Sequence, residues 1–191
     1  MPTRERLPAL GTADLTPAQA AAVDRITSGP RGALLGPFAV LLRAPELMDR
    51  VQDLGAYLRY RKQLEPALFE LVVLMVARHL DQGFEWAHHH PLALAAGLEP
   101  DVVAAVGEGR RPVTADRSVQ VVWQVVDSLQ RRGGIDDDVY ADAVGRLGEE
   151  RLVEAVVAVG YYTTLALVMN VAGTPPEPGE ELPPRATEPP A

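Results

Sequence analysis

Apolar residues recur at steps of three and four along most of this chain, and the stripes they make predict a succession of helices. Leu47, Val51, Leu54 and Leu58 give an amphipathic helix that starts at Pro45 and runs to about Arg61. Val119, Val122, Trp123 and Val126 give another, capped by Thr114 and stopped by Gly133-Gly134. Thr16-Pro17-Ala18-Gln19 is a helix start, with Thr16 as N-cap, Pro17 at the first helical position and Gln19 placed to complete a capping box. That helix ends by Gly29-Pro30, and Arg31 to Pro37 reads as a loop. A short helix follows Glu99-Pro100-Asp101 as far as Gly107, and Asp136-Asp137-Asp138 opens a later one.

Two segments are apolar on nearly every side: the helix that begins near Glu70, and the one from about Glu149 to Val171. Such helices belong in the centre of a bundle or at a contact between subunits. The longest apolar run, Ala155 to Met169, is shorter than a bilayer span of about 20 residues and contains Tyr161, Tyr162, Thr163 and Thr164, so it reads as a buried helix and not a membrane span. The resulting expectation is an all-α, single-domain bundle of about seven or eight helices, assembled as a homo-oligomer.

Residues 70–98 concentrate the chemistry. They hold all four histidines and one of the two tryptophans. Glu70 stands among aliphatic residues, where a carboxylate costs several kcal/mol unless it finds a partner or a proton. After Gly83 a second helix runs to Gly97, and Gln82, Glu85 and His89 recur within it at spacings of three and four. If that helix reaches back to Gln82, the three side chains share a face. His88, His89 and His90 are adjacent, and neighbours on a helix point about 100° apart, so the three do not converge on one metal ion. His88 and His90 are assigned to the surface or to a subunit contact.

Glu70, Phe84-Glu85-Trp86, His89 and Ala96-Gly97-Leu98 resemble the core of the carboxymuconolactone decarboxylase family, the all-α family that includes alkyl hydroperoxidase D. Gly36-Pro37-Phe38 and Arg43-Ala44-Pro45-Glu46-Leu47 resemble the turn by which its members enter that core, and the similarity extends over roughly Pro37 to Pro176. In thiol-dependent members a glutamate is followed by a Cys-x-x-Cys pair and, four residues on, a histidine. The resemblance puts the glutamate at Glu70, the histidine at His89 and the two cysteine positions at Gln82 and Glu85, so both sulfurs are missing. Together with the helix signals and composition of the flanking stretches it gives three divisions: an N-terminal extension with one helix over 1–36, the family's helical domain over 37–173, and a proline-rich tail over 174–191. It also implies homotrimers or hexamers.

Composition narrows the chemistry further. With 191 residues the chain has room for one domain with a proper core, and its net charge of −8 disfavours nucleic acid, whose phosphates need a basic face. The expected partners are a small-molecule substrate and copies of the same chain, with no membrane. No cysteine is present, which removes thiolate ligands and thiol peroxidase chemistry alike. No secretory h-region follows Met1-Pro2-Thr3-Arg4-Glu5-Arg6, so a cytoplasmic location is the expectation. The last eighteen residues carry seven prolines and four glutamates, a tail expected to be disordered or laid on a partner subunit.

Acid and base work fits these residue types best. A histidine beside a carboxylate moves a proton in either direction near neutrality. His89 is the candidate proton donor, Glu85 its orienting or relay partner, and Glu70 the group that polarises it from the neighbouring helix. The reaction expected is a cofactor-free decarboxylation or isomerisation of a small carboxylated or lactone-like molecule. Gln82 and Trp86, together with Tyr57 and Tyr60 at the end of the 45–61 helix, are the candidate substrate-binding residues; those tyrosines equally suit the covering of apolar surface. Two alternatives stay open, a non-catalytic small-molecule-binding or accessory protein on the same scaffold, and a metal-dependent enzyme using Glu70, Glu85 and His89. A Glu and a His facing each other across a helix hairpin also occur as a purely structural pair.

Overall fold

A computed structural model describes residues 4–186. All regular structure among the described residues is helical: α1 (Pro17–Ser28), α2 (Pro37–Leu41), α3 (Pro45–Tyr60), α4 (Pro66–His79), α5 (Gly83–Ala95), α6 (Pro100–Gly107), α7 (Arg117–Arg132), α8 (Asp137–Leu147) and α9 (Glu149–Ala172), with one 3-10 turn at Thr12–Asp14. The all-α expectation holds. The helices cluster into two compact units, one formed by the chain up to Lys62 with Thr164–Pro175, the other by Gln63–Thr163 with the residues from Pro176 onward.

In the first unit the local signals at helix starts act as written. The Thr16 hydroxyl accepts from the Gln19 N–H while the Gln19 side chain accepts from the Thr16 N–H, which completes the capping box. Proline occupies the first turn of α1, α2 and α3. The segment read as a loop closes with α2, whose Pro37, Phe38, Val40 and Leu41 are all buried. Arg6 ties the N-terminal segment to α9 through a backbone hydrogen bond of 2.6 Å from its N–H to the Ala172 carbonyl.

The second unit is built around α4. Every residue from Leu68 to Arg78 is buried, and the helix packs against α5, α6 and α7. A helix apolar all round has no face to give to water, so the others enclose it. Its entry is fixed from α9, where the buried Glu154 carboxylate accepts the N–H groups of Gln63 (2.9 and 3.0 Å) and Leu64 (2.8 Å). Helix α9 has the extent expected from sequence, about Glu149 to Val171, with one residue more at its end. At 24 residues, with a mean hydropathy of 1.8 over its most apolar 18, it has the length and composition of a membrane span, yet Leu152, Ala155, Ala158, Tyr161 and Tyr162 are buried in the manner of a core helix.

One cap differs from the sequence reading. Helix α7 is capped by Asp116, which accepts from the Ser118 (2.7 Å) and Val119 (3.3 Å) N–H groups, whereas the Thr114 hydroxyl accepts from Asp116 itself. The three aspartates open α8 as expected: Asp136 is the N-cap residue and pairs with Arg132 at 2.7 Å, and Asp137 and Asp138 lie in the first turn.

The proline-rich tail is the larger correction, because its described part lies on helices of its own chain. The Glu177 carboxylate is 2.9 Å from His88 Nδ1, and the Pro183 carbonyl accepts from Arg78 Nη1 at 2.6 Å. Arg185 donates to the Arg78 carbonyl (2.8 Å) and to Asp81 (2.9 Å), and the Ala186 N–H donates to the Glu108 carbonyl at 2.8 Å. Pro183 also closes over Gly107 and the Trp86 ring: a Cβ on Gly107 would stand 2.8 Å from the proline and 2.9 Å from the indole. Ending the chain at Pro175 is therefore expected to destabilise the second unit by about 1–3 kcal/mol, the scale of one buried charged donor losing its acceptor. The tryptophan emission should shift to the red at the same time. A urea midpoint and an emission maximum unchanged from the full chain would show that the tail contributes nothing.

Candidate functional site

The hairpin between α4 and α5 brings the acidic residues and the histidine together. Its turn is tight: Asp81 takes a left-handed backbone (φ 49°), which aspartate tolerates better than most residues, and the Gln82 N–H returns to the Ala77 carbonyl at 2.8 Å. Gln82 is then the N-cap of α5, its side-chain oxygen accepting from the Phe84 N–H at 2.7 Å. The helix does not reach back to it. Gln82 therefore serves the turn, and the face it was expected to share begins at Glu85.

Glu85 stands in the first turn of α5, where the helix dipole favours a carboxylate, and His89 follows one turn on. Across the hairpin, Glu70 projects from the middle of α4. His89 Nδ1 lies 2.6 Å from Glu70 Oε2, and His89 Nε2 lies 3.3 Å from Glu85 Oε2. The imidazole is 2 % exposed, with Glu70 at 8 % and Glu85 at 4 %. Two acceptors on the two ring nitrogens call for two N–H donors, which only the imidazolium supplies. Burial by itself would push the ring's pKa down. The hydrogen bonds of Glu70 and Glu85, and their charges, outweigh that effect and hold His89 above its ordinary value of 6.5.

The aromatic surroundings come from both ends of the second unit. Tyr162 of α9 meets the His89 ring edge to face with centroids 5.2 Å apart, and also packs on Phe69 at 5.7 Å. His88 meets His89 at 5.1 Å and carries the Glu177 contact; His90 leans on Trp86 at 5.7 Å. Tyr162 and Glu177 are the neighbours that the sequence reading did not place here. Tyr162 sat inside an apolar run as a polar exception in need of a partner, and that was the only available signal.

The predicted residues thus separate into groups. Glu70, Glu85 and His89 form one hydrogen-bonded chain. Trp86 is 1 % exposed and packed against Gly107 and His90, and its Nε1–H has no acceptor among the described residues. Tyr57 and Tyr60 belong to α3 in the other unit, Tyr57 beneath the Arg61 guanidinium at 5.4 Å and Tyr60 half exposed. Among the described residues no three His, Asp or Glu side chains are arranged to hold one metal ion, and here the two carboxylates take opposite nitrogens of the ring.

What the arrangement offers chemically is a buried carboxylate–imidazolium–carboxylate relay. The His89 imidazolium can hand its Nε2 proton to the Glu85 carboxylate for passage onward, and the charge change is spread to Glu70 over hydrogen bonds of a continuous chain.

Residues 45–127 match the model of the carboxymuconolactone decarboxylase family. A protein of unknown function from Agrobacterium tumefaciens, proposed as an antioxidant defence protein AhpD, has a crystal structure of similar fold. The TM-score is 0.64 at 18% sequence identity, over 72% of this chain and 94% of that one. No curated protein matches the chain.

Proposed function

From the chain's membership of the carboxymuconolactone decarboxylase and alkyl hydroperoxidase D-like family, carried by residues 45–127, we propose that it is a cofactor-free acid–base enzyme acting on a small carboxylated or lactone-like molecule, by decarboxylation or isomerisation. The observation that supports this reading is the Glu70–His89–Glu85 chain, with a carboxylate at each ring nitrogen. It revises the roles anticipated from sequence. His89, flanked on both sides, is the bridge that stores the proton, and Glu85 is the group that exchanges it with substrate. In a decarboxylation the bond to the departing carbon dioxide breaks, and its electron pair is delocalised into a conjugated carbonyl. The His89 imidazolium passes its Nε2 proton to the Glu85 carboxylate, which delivers it to carbon, and a proton from water then recharges His89. Thiol peroxidase chemistry has no basis here, because the chain holds no cysteine for it.

The test uses a carboxylated unsaturated lactone in D2O. Carbon dioxide release with one solvent deuterium at carbon is expected for the wild type and is lost in His89→Ala, with the fold verified by circular dichroism. Unchanged turnover in that variant removes the reading. A second reading, a non-catalytic binding or accessory protein, is favoured by the 2 % exposure of His89 and the full use of its nitrogens. Mass spectrometry of co-purifying small molecules separates the two: an intact ligand retained by both wild type and His89→Ala, without turnover, supports binding alone.

A further inference from the structure

A cavity of about 210 Å³ opens in the second unit among α4, α6, α7 and the tail, and neither Glu70, Glu85 nor His89 lines it. Along α4, Arg78 is eight residues from Glu70, about 12 Å at the helical rise of 1.5 Å per residue. Part of its lining is apolar, with Met75, Val106 and Trp123. Donors line it as well. The Arg78 side chain is 9 % exposed; its Nη1 is spent on the Gly107 (2.9 Å) and Pro183 (2.6 Å) carbonyls and its Nη2 on Asp81. Its Nε–H, buried, has no acceptor among the described residues. Gln130 of α7 lines the same cavity, and its Nε2 amide is likewise buried without an acceptor.

Unpaired buried donors are uncommon, and one on a guanidinium is costly, about 1–3 kcal/mol or more. Two on residues lining one cavity point to an acceptor that fills it. The charge balance indicates its sign. Asp81 is shared between Arg78 and Arg185, so two cations face one carboxylate, while Arg131 is matched by Asp127 and Arg110 by Glu108. With Arg111, whose guanidinium stands over the Trp123 ring at 5.1 Å, the described residues leave the site with positive charge in excess. Two donors suit the two oxygens of a carboxylate, whereas a phosphate presents more acceptors than they satisfy. The volume lies below the roughly 300–1,000 Å³ of drug-sized pockets, and the Trp123 face favours a flat body.

We propose that this cavity is a binding site for a small planar organic carboxylate, held by Arg78 Nε–H and Gln130 Nε2–H against Trp123 and closed on the tail side by Arg185. The site is separate from the Glu70–His89–Glu85 chain and does not depend on what that chain does.

Isothermal titration of the full-length protein with benzoate, benzamide and inorganic phosphate tests it, on the wild type and on Gln130→Leu. Leucine removes the unsatisfied amide and leaves α7 intact, so the variant folds even where a change at Arg78, which also holds the tail, would not. Benzoate is expected to bind, benzamide and phosphate at least about tenfold more weakly, and Gln130→Leu to lose about tenfold in benzoate affinity, the value of one hydrogen bond to a charged group. Benzoate should also perturb tryptophan emission in the wild type and less so in Trp123→Phe. No benzoate binding at millimolar concentration, equal binding of benzamide, tighter binding of phosphate, unchanged affinity in Gln130→Leu or an equal emission change in Trp123→Phe would each overturn the assignment.

Discussion

Glu70→Leu is expected to destabilise the protein by roughly 3–5 kcal/mol, the usual cost of removing one partner from a buried ion pair. Leucine suits the surroundings, since Leu71, Val72, Val73 and Leu74 are completely buried around that position. The loss comes instead from His89, which is left in the core with its Nδ1–H unpaired where it had Glu70 at 2.6 Å. Urea denaturation measures the effect, and a cycle with His89→Leu isolates it: the double variant should lose less than the sum of the singles, because it removes the stranded cation as well. The pH dependence follows from the raised pKa of His89. The unfolded ring titrates near 6.5, so the stabilisation from its protonation is complete below that value and disappears as pH rises through the folded-state value above it. The gap between wild type and Glu70→Leu should accordingly narrow on the alkaline side. A loss below about 1 kcal/mol, or a gap that stays constant with pH, would mean that the pair is not the charged one described.

How much of this was legible in advance depends on the range over which each feature is determined. The Thr16 capping box and the prolines opening α3 and α6 are local chemistry, and they read correctly. So did the i, i+4 relation of Glu85 to His89, which helix geometry imposes. Thr114 failed as a cap because Asp116, two residues later, is an equally good oxygen acceptor for free N–H groups, and a sequence does not rank the two. Gln82 misled in a similar way. Its spacing fits a helix face, but the left-handed Asp81 ends the turn just before it and makes it the N-cap. The tail was read from composition alone, which indicates only that it has no core of its own. Its partners Arg78, Trp86 and Glu108 lie far away in sequence, and its prolines, with φ already fixed, lose less entropy on ordering than other residues. Both contributions are invisible to a local reading, and the same holds for Tyr162 beside His89.

Glu85→Gln is expected to separate catalysis from stability at the proposed site. The amide keeps the side chain's volume and offers an oxygen to His89 Nε2–H, so the folded state should lose only about 1–2 kcal/mol, the difference between a charged and a neutral hydrogen bond. It does not exchange a proton near neutrality, so turnover of the carboxylated lactone should fall by about 10²–10⁴, the usual share of one acid–base group. Glu85→Asp sharpens the comparison. The shorter chain keeps the charge and the ability to exchange a proton but withdraws the carboxylate from a ring nitrogen already 3.3 Å away, so activity should lie between the wild type and the glutamine variant. A purely structural pair predicts the reverse order, with the aspartate variant the less stable and activity unmoved in both. Turnover of Glu85→Gln within about threefold of the wild type would therefore assign the buried relay to folding alone, since a group that passes a proton to substrate in the rate-limiting step does not lose that ability at so small a cost.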